Sequence, residues 1–273
     1  MPEGPEIRLA ADELAQVLVN QEIVAAALEL PNLQGFAKRL TGSTVSAVDT
    51  RGKAMLTRFD NGLTLYSHNQ LYGRWYTTER PHLPQTGRQL RVALHTKTHS
   101  ALLYSASDIE VLTARQLAKH PFLTRIGPDI LDAELTRERI IDRLNSATFR
   151  NRALGSLYLD QTFLAGIGNY LRSEILWAAR VDPALRPAQL ERGTLQKVAD
   201  ETLTISRRSY RTHGLTVPDD VAADRKRRGM SFETLRFQVY GREGSPCYAC
   251  GTEINRRNHG RRGVFICPTC QSA

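Results

Sequence analysis

The chain has 273 residues, 41% of them hydrophobic and 24% charged, with a formal net charge of +9 and a pI near 9.6. That length and apolar content exclude a disordered polypeptide and allow two or three compact units. No run approaches the roughly 18 apolar residues of a membrane span, and the opening lacks a basic stretch followed by an apolar one. A soluble, cytoplasmic protein with no membrane partner is therefore expected, and its positive charge fits a polyanion.

The opening stretch MPEGPEIRLAADEL leads into Ile7, Ala10, Ala11, Leu14, Val17 and Leu18, a three-and-four spacing that predicts a helix over 6–20. Pro5 at its first position costs no hydrogen bond, which leaves Pro2 and Glu3 unexplained. Loss of Met1 would turn Pro2 into a free secondary amine, an N-terminal nucleophile beside a carboxylic acid. From 22 to 104 the pattern changes to the short β runs VSAV, MLTRF, LTLY, LRVALHT and ALLYSA, with Asn61 and Gly62 as a hairpin signal. Such spacing predicts a sandwich or a small barrel. Read alone, Lys53 is an exposed turn lysine, and Leu71 and Tyr72 pack into the sandwich at a strand end.

Past Pro121 helical periodicity takes over, around 135–145, 153–164, 170–179 and 188–210, with a boundary near Arg125 to Asp132 where Gly127 and Pro128 interrupt. Between two of these helices, AGIGN at 165–169 would let backbone N–H groups at a helix start approach an anion, as a phosphate clamp. Its plainer reading is an interhelical turn. The stretch 211–230 is polar and rich in breakers, which predicts a linker or mobile loop before the C-terminal segment.

All four cysteines lie in CYAC and CPTC, giving C-x2-C-x16-C-x2-C at Cys247, Cys250, Cys267 and Cys270. Two such pairs can close a tetrahedral sulfur cage around one zinc ion, a structural site with no open position for chemistry. Between them, TEINRRNHGRRGVFI reads as two short strands around a turn. From Thr204 onward 13 Lys and Arg stand against 6 Asp and Glu, so most of the net charge lies in the last quarter. Arginine dominates there, and its planar fork suits phosphate oxygens.

MPEGPE, RGKAML around Lys53, YSHNQLYG around Gln70, AGIGNYLRSEILW and the four-cysteine segment follow one another in an order that resembles the formamidopyrimidine-DNA glycosylase and endonuclease VIII family of bifunctional DNA repair enzymes. The resemblance implies an α+β multidomain fold. A β-sandwich with a leading helix would occupy 1–125, a helix-two-turn-helix domain 126–225, and a zinc ribbon 226–273. It further implies a monomeric DNA glycosylase and AP lyase of base excision repair, acting on double-stranded DNA in the nucleoid. Pro2 would attack the sugar C1′, with Glu3 as general acid and Lys53 assisting base loss and β-elimination. Gln70, Leu71 and Tyr72 match residues inserted into the duplex, Arg125 and Asn169 match DNA contacts, and Arg262 matches an arginine that serves δ-elimination.

LYSHNQLYG and LYSASDIE resemble the branch acting on oxidised pyrimidines such as thymine glycol. One departure is local: Arg262 keeps the family's distance to Cys267, yet Gly263, Val264 and Phe265 follow it and Arg261 precedes it, so either arginine could serve. Two other readings remain. One keeps the chemistry on oxidised purines; the other is a non-enzymatic zinc-ribbon nucleic-acid binder, from which only Pro2, Glu3 and Lys53 separate the enzyme.

Overall fold

The structure is a computed structural model that describes residues 2–259 and 262–272. It divides into two compact units, one of Pro2 with Glu6–Arg125, the other of Glu3–Pro5 with residues 126–272.

Helix α1 (Gly4–Leu18), which belongs to the first unit from Glu6 onward, buries Ile7, Ala11, Leu14 and Leu18, the stripe expected from the spacing. Strands β1 (Ala25–Leu28), β6 (Leu90–His95), β7 (His99–Tyr104) and β5 (Arg74–Glu79) form one antiparallel sheet in the order β1-β6-β7-β5. Strands β2 (Val45–Arg51), β3 (Ala54–Phe59), β4 (Leu63–His68) and β8 (Asp108–Thr113) form a second, in sequential order but for β8. Met55, Phe59, Leu65, Trp75, Val92, Leu94, Leu103 and Val111 make a shared core with α1, so the two sheets stack as a sandwich. Short helices α2 (Ala37–Leu40) and α3 (Ala114–Leu117) flank it; Thr113 and Gln116 close a capping box on α3.

The β3–β4 hairpin turns at Asn61 and Gly62. The Asn61 amide donates to the Arg39 carbonyl at 2.7 Å and its Oδ1 accepts from the Leu63 N–H at 3.1 Å, while Gly62 takes φ 79°. The β2–β3 turn is shorter. Arg51 pairs with Ala54, which leaves Gly52 (φ 61°) and Lys53 as its two loop residues.

The second unit is helical with a two-stranded ribbon. Its helices are α4 (Arg137–Asn145), α5 (Leu154–Leu157), α6 (Asn169–Ala178), α7 (Arg192–Arg211), α8 (Asp219–Arg227) and α9 (Phe232–Leu235). In α7, Leu195, Val198, Ala199, Thr202, Ile205 and Ser209 turn one face inward, against Leu144, Phe163, Leu171 and Ile175. Strands β9 (Asn255–His259) and β10 (Arg262–Ile266) pair antiparallel, and Ile254 and Val239 join Cys247 and Cys267 in a small core beside Trp177.

The stretch read as a linker is instead ordered as α8. Asp219 and Asp220 sit in its first turn and basic residues in its last, the arrangement that complements the helix dipole. Ala222 packs with Val217 and Leu235, and Arg225 is buried, donating to the Leu235 and Phe237 carbonyls at 3.0 Å each. Polar composition hid this because the inward residues are one alanine and one arginine stem.

Helix α6 is buried on every side, including its charges. The Glu174 carboxylate accepts from the N–H groups of Gln238, Val239 and Tyr240 at 2.8, 2.8 and 2.9 Å and from the Thr216 hydroxyl at 2.8 Å. Replacing it with Leu strands three backbone donors, so Glu174→Leu should lower the unfolding free energy by about 3 kcal/mol or more, measured by urea titration; a change under about 1 kcal/mol would contradict this anchoring.

Candidate functional site

In the second unit the carboxylate of Glu3 lies at the N-terminus of α6. Its Oε2 accepts from the Gly168 N–H at 2.6 Å and from the Leu171 N–H at 3.2 Å, and its Oε1 accepts from the Tyr170 N–H at 2.8 Å. The side chain is 3% exposed. Three donors at a helix start, with the dipole behind them, make a seat for the carboxylate. The AGIGN segment thus does receive an anion, but the anion is Glu3 and not a phosphate. The glycines are needed for that approach. A Cβ on Gly168 would sit 2.4 Å from the Glu3 carboxyl carbon, and Gly166 takes φ 104° with its carbonyl accepting from the Gly4 N–H at 2.8 Å.

One turn into α6, Arg172 is fully buried. It donates to the Gly155 carbonyl at 2.6 Å, to the Gly263 carbonyl at 3.0 Å, more distantly to the Arg262 carbonyl at 3.4 Å, and to Oδ1 of Asn169. Burial pulls the Arg172 guanidinium down to about 10, with Glu3 opposing the fall and Arg262 adding to it. Because Oδ1 of Asn169 is turned to Arg172, the amide group of Asn169 offers its N–H donors elsewhere. No motif in the sequence pointed to Arg172. Its signal was an arginine, followed by Ser173 and Glu174, set among the apolar Leu171, Ile175 and Leu176 of a buried helix.

Arg262 opens β10 with an exposed side chain, opposite His259 in the register. Arg261 lies outside the described residues. Gly263, the departure from the family pattern, has a local cause: the Arg256 side chain crosses it, with Nε 2.3 Å from where a Cβ would stand.

The four cysteine sulfurs lie within 4.8 Å of one another, Cys247 to Cys270 at 3.9 Å and Cys250 to Cys267 at 3.4 Å. A tetrahedral ion with bonds of about 2.3 Å needs sulfur spacings of about 3.8 Å. The cluster therefore fits one metal ion. Four thiolates held this close repel one another, so an all-thiolate set requires a cation to hold it. Backbone N–H groups of Ala249 and Cys270 donate to Sγ of Cys247 and Cys267, each at 3.4 Å. Tyr248 between the first pair is stacked by two guanidinium groups, Arg242 at 3.5 Å and Arg225 at 3.8 Å from its ring centre.

In the first unit, Lys53 is 7% exposed in its two-residue turn, which departs from the solvated lysine that the turn alone predicted. Leu71 and Tyr72 are 58% and 70% exposed and do not enter the sandwich core. Gln70 holds φ 51°, and its Oε1 accepts from the Ser107 hydroxyl at 3.0 Å. Arg125, also exposed, donates from Nε to the Pro121 carbonyl at 2.8 Å. Pro2, half-buried, precedes Glu3 directly in the chain.

Residues 1–109 match the formamidopyrimidine-DNA glycosylase N-terminal domain model and residues 126–219 match the formamidopyrimidine-DNA glycosylase H2TH domain model. Endonuclease 8 of Klebsiella pneumoniae is 48% identical over 271 residues, 99% of this chain and all of that protein. Endonuclease 8 of Escherichia coli is 47% identical over the same span, again covering 99% of this chain and 100% of that one. Among solved structures, MutM in complex with DNA containing carbocyclic 8-oxo-G superposes at TM-score 0.81 with 22% identity, each chain covered completely. The Lactococcus lactis Fpg complex with N7-benzyl-Fapy-dG DNA does so at 0.82 and 22%, again with both chains covered completely, a likeness of fold.

Native mass spectrometry should find one divalent ion per chain, and Cys270→Ser should weaken its retention by at least about tenfold because a fourth sulfur ligand is lost. Full retention in that variant would show that the cysteines do not close a cage.

Proposed function

The chain belongs to the formamidopyrimidine-DNA glycosylase family, whose members are DNA glycosylases with AP lyase activity in base excision repair, and we propose that it excises oxidised pyrimidines such as thymine glycol from duplex DNA through an imine at Pro2. The observation that carries this reading is the Glu3 carboxylate, held by three N–H groups on a glycine-built seat immediately after Pro2. Holding an acid at an N-terminal proline with that much machinery has no purpose in a passive nucleic-acid binder.

With Met1 removed, the Pro2 nitrogen has a lone pair, and an α-amino group titrates at about 7.7 to 8.0, so a useful fraction is neutral near pH 7. That lone pair forms the bond to C1′, and the glycosidic electrons leave with the base. The nitrogen now carries a surplus proton. The Glu3 carboxylate collects it and, as the general acid, delivers it to O4′ as the C1′–O4′ bond breaks and C1′=N⁺ forms. The iminium acidifies C2′. Loss of that proton expels the 3′ phosphate by β-elimination, and a second, δ-elimination expels the 5′ phosphate, leaving a one-nucleotide gap between phosphates. Lys53 assists base loss and the first elimination, and Arg262 the second.

Reaching C1′ requires the nucleotide to leave the stack, at about a few kcal/mol. Exposed Gln70, Leu71 and Tyr72 are suited to fill the vacated space. Asn169, whose Oδ1 is engaged by Arg172 so that its amide N–H groups remain to donate, and Arg125 grip phosphates, contacts that position the duplex without reading sequence. The four cysteines hold one zinc ion, which stabilises the ribbon and takes no part in the chemistry. The preference for pyrimidines is supported by YSHNQLYG and by relatives named Endonuclease 8. We place the protein inside the cell as a monomer on the chromosome; among the described residues no helix is long and apolar enough to cross a membrane.

Borohydride treatment on a duplex with one thymine glycol should trap a covalent adduct mapping to Pro2. An adduct on an 8-oxoguanine duplex alone would overturn the lesion class, and none on either duplex or on an abasic one would overturn the lyase reading. Gly168→Ala forces Glu3 off its seat and should slow lyase turnover on a preformed abasic site by about 10²-fold with the fold retained by circular dichroism. Unchanged turnover would remove Glu3 from the mechanism.

A further inference from the structure

His68 ends β4 at the root of the loop that carries Gln70, Leu71 and Tyr72. Its Nδ1 accepts a hydrogen bond from the Gln70 backbone N–H at 3.1 Å. The donor, Gln70, itself sits in the left-handed region at φ 51°, which a non-glycine side chain enters only when its surroundings hold it there. Three other ties act on the same loop. The Ser107 hydroxyl donates to Oε1 of Gln70 at 3.0 Å, Arg88 donates from Nη1 to the Tyr72 carbonyl, and the Gly73 N–H donates to the Asn69 carbonyl at 2.7 Å. Gly73 cannot carry a side chain, since a Cβ would stand 2.6 Å from that carbonyl oxygen.

The imidazole is itself braced. His68 lies between Ala54 of β3 and Asp108 of β8 in the sheet register, and the Phe122 ring meets it edge-on with centroids 5.7 Å apart. We propose that His68 is a positioning residue for strand insertion: its neutral imidazole, accepting at Nδ1, sets the Gln70 backbone so that Leu71 and Tyr72 stand ready to enter the duplex, and protonation of Nδ1 releases them. This role rests on the insertion reading of Gln70, Leu71 and Tyr72 given above.

The chemistry follows from the ring nitrogens. To accept from Gln70, Nδ1 must carry its lone pair, which places the ring proton on Nε2. A protonated ring has N–H at both positions, and two donors then face each other. Of the surrounding groups, Asp108 on β8 favours the protonated ring, Lys53 at the head of β3 disfavours it, and Phe122 brings an aromatic edge. Burial outweighs these and lowers the His68 pKa below the ordinary imidazole value. The acceptor is therefore present at neutral pH and lost only on the acid side of that ordinary value.

The test uses the full-length, zinc-loaded protein and a duplex in which 2-aminopurine flanks a non-cleavable tetrahydrofuran site, so that insertion is read by fluorescence without turnover. Wild type should give a rise near neutral pH that falls away in acid. His68→Leu, which has no acceptor, should weaken the insertion equilibrium by about fivefold, the worth of one hydrogen bond. His68→Asn can present Oδ1 where Nδ1 was, and it should stay within about twofold of wild type and lose the acid step. Asn as weak as Leu, or a wild-type signal that strengthens in acid as a direct imidazolium–phosphate contact would make it, overturns the proposal. Borohydride trapping on an abasic duplex separates the two readings. Trapping with no fluorescence response in wild type defeats insertion and this role together, whereas the predicted fluorescence pattern without trapping defeats the catalytic reading and leaves His68 in place.

Discussion

The contact on which the candidate chemistry depends is the one between the Glu3 carboxylate and the first turn of α6. A helix start leaves backbone donors without intrahelical partners, and here an acid 165 residues distant in sequence supplies three of them with an acceptor. The following residue is tied to the same segment, the Gly4 N–H donating to the Gly166 carbonyl at 2.8 Å. The same three hydrogen bonds that cap the helix thus hold the candidate acid in place. That explains why the glycines at 166 and 168 tolerate no side chain: the first takes a left-handed φ, and the second is where the carboxylate lies.

Helix α6 extends the same economy to its other polar residues. Arg172, Ser173 and Glu174 are consecutive, so they point to three different sides of the helix, and each is buried. Arg172 reaches the β10 carbonyls and Asn169. The Ser173 hydroxyl accepts from the Phe265 N–H at 3.3 Å while donating to the Asn169 carbonyl, and Glu174 gathers the 238–240 backbone. Burying charges is unfavourable unless each is satisfied, which makes such a helix intolerant of single substitutions. Within the second unit the ribbon is consequently bound to α6 through backbone atoms, with Arg257 to Asp182 at 3.1 Å and Gln271 to the Val181 carbonyl at 3.0 Å as further ties.

The first unit solves a different problem, that of presenting side chains from tight turns. Lys53 occupies a two-residue turn in which Gly52 absorbs the positive φ, so the lysine backbone is set by the flanking β2–β3 ladder. The loop after β4 has no such glycine at its strained position. Gln70 takes that conformation itself, and side chains from the neighbouring segments hold it there.

Helix α1, the β3–β4 hairpin, α4, α6, α7 and the cysteine cluster were legible because each obeys a local rule: apolar spacing, turn chemistry, or ligand spacing. Strands β1, β5 and β8 were not, and all three are sheet edges. AAAL is short and mostly alanine, and RWYTTE and DIEVLT carry charges, which an edge strand, paired on one side only, tolerates. Helix α8 was hidden by an inward arginine. The residue types and spacings by themselves indicated a sandwich or a small barrel, a helical unit, a sulfur cage and an unusual Pro-Glu pair at positions 2 and 3. Only the tertiary structure decided that the anion at AGIGN is Glu3, that Lys53 is buried and Leu71 and Tyr72 are not, and that Arg172 reaches the Gly155 and Gly263 carbonyls. Those are contacts between residues remote in sequence or across a sheet register, and local periodicity carries no information about them.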